Sequence, residues 1–243
     1  MLASLALDAR RVISFEELAE ELWAGRALAN TRNALQAHAT RIRRLLDSPD
    51  RQSPATTVVR AVGGGYLLDV PPECVDTNRF LTLAGKGFDL VEDRPAQAIE
   101  HFQAGLRLWR GPALVDAGDG LRCRSAATSF EERRLTVWED LARARLAVGD
   151  ESRAIAELQQ LVFRYPLRER FCELLMLALY RAGRQGDALE TYRRTRRRLD
   201  EELGVDPGGR LKQRHHEILS QDPALALPGA LWSGRLQSAG TAC

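Results

Sequence analysis

Residues 30–46, NTRNALQAHATRIRRLL, set Leu35, Ala39, Ile42 and Leu46 at helical spacing, with Leu45 beside them. Apolar residues recurring in this way form one stripe on an α-helix, the side that goes into a core. Asn33, Ala37, Thr40 and Arg44 lie opposite the stripe, flanked by Gln36 and Arg41, and no acid interrupts that face before Asp47. Amides and guanidiniums match base edges in the major groove, whereas hydroxyls and arginines match phosphate oxygens. A basic face alone is ordinary on a surface helix. The setting of this one, between a shorter helix and a glycine-turned hairpin, makes it a candidate DNA-recognition helix.

Upstream, residues 1–13 read as the end of a helix carried by Leu2, Leu5 and Ala6, followed by a turn at Asp8–Arg11. Ser14 then opens SFEELAEELW, and Ser14 with Glu17 makes a capping box, each side chain closing the other residue's free N–H. Phe15, Leu18, Ala19, Leu22 and Trp23 form its buried face. A short helix, a turn around Gly25 and a basic amphipathic helix fit a helix-turn-helix. Downstream, DSPDRQSPAT (47–56) is a polar loop. The β-prone runs Thr57–Arg60 and Tyr66–Val70, joined through Gly63-Gly64-Gly65, predict a hairpin that acts as a wing. Arg60 falls where a wing sets a cation against the adjacent minor groove or the DNA backbone; a solvated strand residue is the alternative. His38, at the edge of the apolar stripe, either packs inward or reaches a phosphate.

The 243 residues suffice for one large or two smaller domains, and 44% apolar with 28% charged residues describes a globular chain. A net charge of +2 is too small to argue for nucleic acid, so only the local distribution can. Arginine supplies nearly all the cations, lysine appearing only at Lys86 and Lys212. Cys74, Cys123, Cys172 and Cys243 form no C-x-x-C pair, which reads as reduced thiols in a cytoplasmic protein. MLASLALDARR has no basic region ahead of its apolar run, so no signal peptide is expected, and no run is long enough to span a membrane. Catalytic motifs are missing: there is no G-x-S-x-G, H-E-x-x-H or Walker A sequence. Gly63–Gly65 precede a strand rather than a helix, and adjacent His215 and His216 point to different helix faces. A non-enzyme without metal or cofactor is expected.

Pro71-Pro72 marks the expected boundary between a DNA-binding domain at 1–70 and a helical domain at 76–222. Within the latter, AIEHFQAGLRL (98–108), AIAELQQLVFRYP (154–166) and ALETYRRTRRRL (188–199) share a pattern. Gly149 and Gly183 are 34 residues apart, as are Ala154 and Ala188, which is the period of a tetratricopeptide helix pair. An insertion around Trp109–Ser129 explains the longer first interval. Such units stack into an array that buries a shared apolar face, and arrays of this kind bind proteins. The arginine run 193–198 is followed by Asp200, Glu201 and Glu202, so local ion pairing competes with contact to DNA or a partner. Residues 223–243 are expected to be a disordered tail, in which Trp232 is either exposed or docked.

SFEELAEELW, NALQAHATRIRRLL and GGGYLLDV resemble an OmpR/PhoB-type winged helix. VDTNRF (75–80), LWRGPAL (108–114), YPLRERFCELLMLALYRAGRQGDALETYRRTRRRLDEELGVDPG (165–208) and QDPAL (221–225) resemble the bacterial transcriptional activation domain. Together they are similar to the Streptomyces antibiotic regulatory protein family, over about residues 1–225. The resemblance implies a mainly α fold: a winged helix-turn-helix with a short β-hairpin, then a tetratricopeptide-like helical domain. It implies an activator of secondary-metabolite genes that binds direct repeats in promoter DNA and recruits RNA polymerase holoenzyme, with a second protomer on tandem repeats. DNA contact is expected from Asn33, Gln36, His38, Thr40, Arg41, Arg43 and Arg44 in the helix and Arg60 in the wing. The alternative is a tetratricopeptide-like adaptor that does not bind DNA. The family's opening antiparallel sheet has no counterpart here, so Leu2, Leu5 and Leu18 are expected to lie uncovered.

Overall fold

A computed structural model describes residues 1–23, 30–46 and 58–227. The turn at Gly25, the loop at 47–56 and the tail from 228, Trp232 included, lie outside the described residues.

The chain begins with α1 (Leu2–Leu7), turns at Asp8–Arg11, and continues through β1 (Ile13–Ser14), α2 (Phe15–Trp23) and α3 (Thr31–Leu46). β2 (Val59–Val62) and β3 (Gly65–Leu68) follow. The expected hairpin is part of a three-stranded antiparallel sheet of order β1-β3-β2. Ile13 pairs with Tyr66 and Ser14 with Gly65, while Val59 pairs with Leu68. Gly63 and Gly64 take φ of 49° and 88°, the double positive φ that a two-residue hairpin turn needs to match strand twist. At Gly65 a Cβ would overlap the Ile13 carbonyl, so the third strand closes only over glycine.

Met1, Leu5, Ile13, Leu18, Leu35, Ala39, Val59, Tyr66 and Leu68 form one core cluster. Leu5 and Leu18 are therefore fully covered, contrary to expectation; of the three leucines only Leu2 reaches the surface. The reason is that α1 packs on β3, with the Arg10 N–H donating to the Leu68 carbonyl (2.9 Å), so this short helix covers the core itself. Leu45 is 78% exposed and does not belong to the buried stripe. One step around the helix from Leu46 carries it past the edge of the core.

The chain forms two compact units, Met1–Gly85 with Ala104–Leu135 and Lys86–Gln103 with Thr136–Cys243. Neither unit ends at Pro71-Pro72, and the first joins the sheet and α1–α3 to residues 104–135. The helices after the prolines are α4 (Asp76–Leu90), α5 (Pro95–Leu106), α6 (Leu121–Ala147), α7 (Glu151–Arg164), α8 (Glu169–Arg181), α9 (Gln185–Leu203) and α10 (Gly209–Leu219). The irregular stretch is 107–120; the expected insertion's last residues, from Leu121, already belong to α6.

In the second unit the 34-residue relation is visible in the backbone. Gly149 and Gly183 both take φ of 75°, ending α6 and α8 alike. Asp150 N–H returns to the Arg145 carbonyl (2.9 Å) and Arg184 N–H to that of Leu179 (2.8 Å). Ala154 and Ala188, equivalently placed in α7 and α9, are fully buried where the helices approach. α8 lies between α7 and α9, and its residues 171–179 are buried on every side. The segment after 222 is not structureless at its start. Pro223–Ala226 form a 3₁₀ turn, Leu225 is buried, and Arg181 donates to the carbonyls of Leu225 (2.8 Å) and Leu227 (2.7 Å). One apolar side chain and one guanidinium satisfying free carbonyls hold it. Among the described residues no helix is long and apolar enough to cross a membrane.

Candidate nucleic-acid interface

α3 starts where the Asn30 side-chain oxygen accepts the Asn33 N–H (3.0 Å), an N-cap of the usual kind. Leu35 and Ala39 anchor its inner face with no exposure, and Ile42 and Leu46 are half-buried beside them. α2 is prepared by the expected capping box: Ser14 N–H donates to Glu17 Oε2 (2.9 Å) and Glu17 N–H to Ser14 Oγ (3.1 Å). The Ser14 backbone N–H first, and then the Ser14 hydroxyl, hold the Glu17 carboxyl below its ordinary pKa. Phe15 meets Tyr66 edge-on at 5.4 Å, joining α2 to the sheet on which α3 rests.

The eight candidate residues divide by environment. Asn33, Gln36, Arg41 and Arg44 are exposed along one side of α3, together with the small Ala37. Thr40 is half-buried, and its hydroxyl donates to the Gln36 carbonyl (2.9 Å) within the helix. His38 is half-buried with its ring centroid 6.1 Å from that of Trp23, which places it against α2. Arg43 turns toward the sheet: its Nε donates to the Val59 carbonyl at 2.8 Å, and its guanidinium lies 6.0 Å from the centre of the Tyr66 ring. It ties α3 to β2. Arg60 extends from β2 and pairs with Asp69 at 2.8 Å, both partly exposed. A fifth cation near the group, Arg32, was not among the candidates; it is exposed and stacks over Phe15 at 5.0 Å.

The contact least visible in the sequence involves Glu21 of α2. Its carboxylate accepts the N–H groups of Arg122 and Cys123, both at 2.8 Å, and so caps the first turn of α6. Free N–H groups at a helix start carry partial positive charge, which a carboxylate satisfies. Asp8 pairs with the Arg122 side chain, and Ser4 Oγ lies 3.7 Å from Cys123 Sγ. At Gly120 a Cβ would collide with the Glu21 carboxyl group and backbone carbonyl. Burial first, and then Glu21, push the Cys123 thiol pKa up.

Elsewhere, the arginine run pairs mainly at short range. Arg193 and Arg194 reach Glu190 (3.2 and 3.0 Å), Arg198 reaches Glu202 (3.2 Å) and Arg196 approaches Asp206 (3.5 Å). His215 stacks on Tyr192 at 3.8 Å while His216 is exposed, so the two rings do diverge.

Residues 1–68 match the family described as the C-terminal domain of transcriptional regulatory proteins, and residues 75–219 match the bacterial transcriptional activator domain. The transcriptional regulator RedD of Streptomyces coelicolor is 57% identical over 232 residues, covering 96% of this chain and 66% of RedD. The regulatory protein DnrI of Streptomyces peucetius is 36% identical over 225 residues, covering 91% of this chain and 83% of DnrI. The structure of Mycobacterium tuberculosis EmbR in complex with a low-affinity phosphopeptide superposes with a TM-score of 0.87 at 33% identity. That match covers 99% of this chain and 62% of EmbR. The chain thus belongs to the Streptomyces antibiotic regulatory protein family of transcriptional regulators, with an OmpR-type winged helix and a bacterial transcriptional activation domain.

Proposed function

We propose that this member of the family is a promoter-binding activator of secondary-metabolite genes, in which α3 reads the major groove and the helical array holds RNA polymerase. The observation that carries the reading is the side of α3 bearing Asn33, Gln36, Arg41 and Arg44. It is exposed, free of acids, and fixed from behind by Leu35, Ala39 and the Arg43–Val59 bond. Amide and guanidinium groups held on one helix face have the chemistry that distinguishes base pairs. Thr40, within this face, and His38, at its edge, are suited to phosphate oxygens. Arg43 positions the helix. Arg60 serves the backbone only by sharing its charge with Asp69.

Residues 1–70 supply promoter recognition in this reading, and residues 76–222 supply protein contact. Direct repeats in the promoter seat protomers head to tail, since a repeated site lacks two-fold symmetry. The protein acts in the cytoplasm, where promoter and polymerase are. The finding that RedD and DnrI are regulators supports the assignment.

The test is a binding titration on promoter fragments carrying short direct repeats, at several salt concentrations, with Arg41→Ala and Arg44→Ala beside the wild type. Each lost phosphate contact should reduce the salt slope by about one, and each lost base contact should relax sequence preference. Equal affinity and preference in both variants would overturn the role of α3. Purified polymerase holoenzyme added to the same promoters then reads activation.

A further inference from the structure

Phe163, near the end of α7, is 88% exposed. It borders a groove of about 480 Å³ formed by α7, the turn at Pro166, α8 and α9. Val162, Phe163 and Pro166 give one apolar wall, and Leu175 of α8 lines it too. The other wall belongs to the arginine run. Arg194, Arg197 and Arg198 fall at helical spacing on α9 and all line the groove, opposed among its lining residues by the single acid Glu201. Arg193 and Arg196 line a different depression, with Tyr192 and His215, and Arg197 borders both.

We propose that this groove is a docking site for an acidic amphipathic segment of a protein partner, one that carries carboxylates beside a large apolar side chain. The proposal rests on the reading that the helical domain makes the activating protein contact. Charge complementarity selects the occupant. Arg197 is exposed and makes no ion pair among the described residues. Among the described residues Arg194 and Arg198 pair with Glu190 and Glu202, in contacts whose partners are each between 43% and 78% exposed. Exposed pairs of this kind are weak and screened by salt, so a partner's carboxylates can share or replace them. The apolar wall decides against DNA. A phosphate backbone would meet the guanidiniums but leave Phe163 in water, whereas a peptide with an apolar anchor covers it. Phenylalanine and arginine are also enriched at protein interfaces relative to the rest of the surface.

The experiment uses the full chain and a fluorescein-labelled synthetic peptide of glutamate with leucine and phenylalanine at helical spacing. Oligoglutamate of equal charge and a random-sequence DNA duplex serve as competitors. Phe163→Ser and Arg197→Glu change exposed positions, and circular dichroism checks that both fold. The peptide should bind the wild type, and each substitution should weaken it about tenfold, equivalent to ~1.4 kcal/mol. Binding that neither substitution changes overturns the proposal. So does displacement of the peptide by oligoglutamate or DNA at equal concentration, because charge alone would then suffice.

The same variants, assayed with purified polymerase on a promoter, should keep promoter affinity and lose activation. Activation retained by both would remove the groove from the activating contact and leave polymerase recruitment standing. Failure of the wild type to bind promoters would instead overturn the proposed function itself.

Discussion

Glu21→Ala should destabilise the first structural unit, although Glu21 stands on a helix facing residues a hundred positions away. The substitution removes the acceptor for the Arg122 and Cys123 N–H groups, each held at 2.8 Å. Hydrogen bonds to a charged group contribute about 1.5–3 kcal/mol each, but these are only partly buried and water can replace some of the loss. Loss of a helix N-cap costs about 1 kcal/mol, so a total near 2 kcal/mol is expected. For a chain of this size that corresponds to a fall of about 4–8 °C in melting temperature. Glu21→Gln keeps one acceptor oxygen and should fall between.

Gly120→Ala probes the same contact from the other side. Gly120 has no positive φ, so alanine suits its backbone and by itself would stabilise by about 0.4–1 kcal/mol through the unfolded chain. The new methyl would instead overlap the Glu21 carboxyl group, and overpacking of this kind costs about 1–3 kcal/mol. In the Glu21→Ala background part of that clash is gone, so the two changes should cost less together than their sum. Urea denaturation followed by circular dichroism measures the four proteins of the cycle and Glu21→Gln. A Gly120→Ala protein more stable than wild type, or strict additivity in the cycle, would refute the capping argument.

Arg43→Ala should lower stability by about 1–2 kcal/mol through loss of its bond to Val59, and DNA affinity should fall as a consequence. Unchanged melting with reduced affinity would make Arg43 a direct DNA contact instead. Ser14→Ala removes one half of the capping box and should cost about 1 kcal/mol in a thermal melt. Burial first, then Arg193, His216 and Arg196, hold the His215 pKa below 6.5, so the folded protein resists a proton that the unfolded chain accepts. That stability is complete above pH 6.5 and lost progressively as pH falls below it; His215→Phe should flatten the decline in urea midpoints between neutral and mildly acidic buffer. Alkylation mapped by mass spectrometry should modify exposed Cys74 before Cys123 and Cys172, whose thiol pKa values burial raises.

Periodicity carries the information that is local. Leu35 and Ala39 follow from helical spacing, the Ser14–Glu17 box from a three-residue interval, and the wing turn from glycines that alone tolerate the required φ. The repeat at Gly149 and Gly183 is legible for the same reason: each copy solves one local problem with the same residue. The exposure of Asn33, Gln36, Arg41 and Arg44 likewise follows from their angle on α3. Helical angle could not separate Arg43 from its neighbours, because its carbonyl partner is supplied by a strand sixteen residues later. Nor could charge pattern reveal that Arg60 meets Asp69 across the hairpin.

Sequence leaves Leu5 and Leu18 at an uncovered surface, because the residues that cover them belong to other elements. Glu21 shows the limit most clearly. In sequence it is one of several glutamates on a solvated helix, and its role exists only where α6 begins beside it over a glycine. What the sequence alone determined is the set of helices, the wing and the repeat, since these depend on spacing within a few residues. Which arginines stay free, which side chains close the core, and how α2 is joined to α6 were decided by tertiary structure, because each depends on a partner distant along the chain.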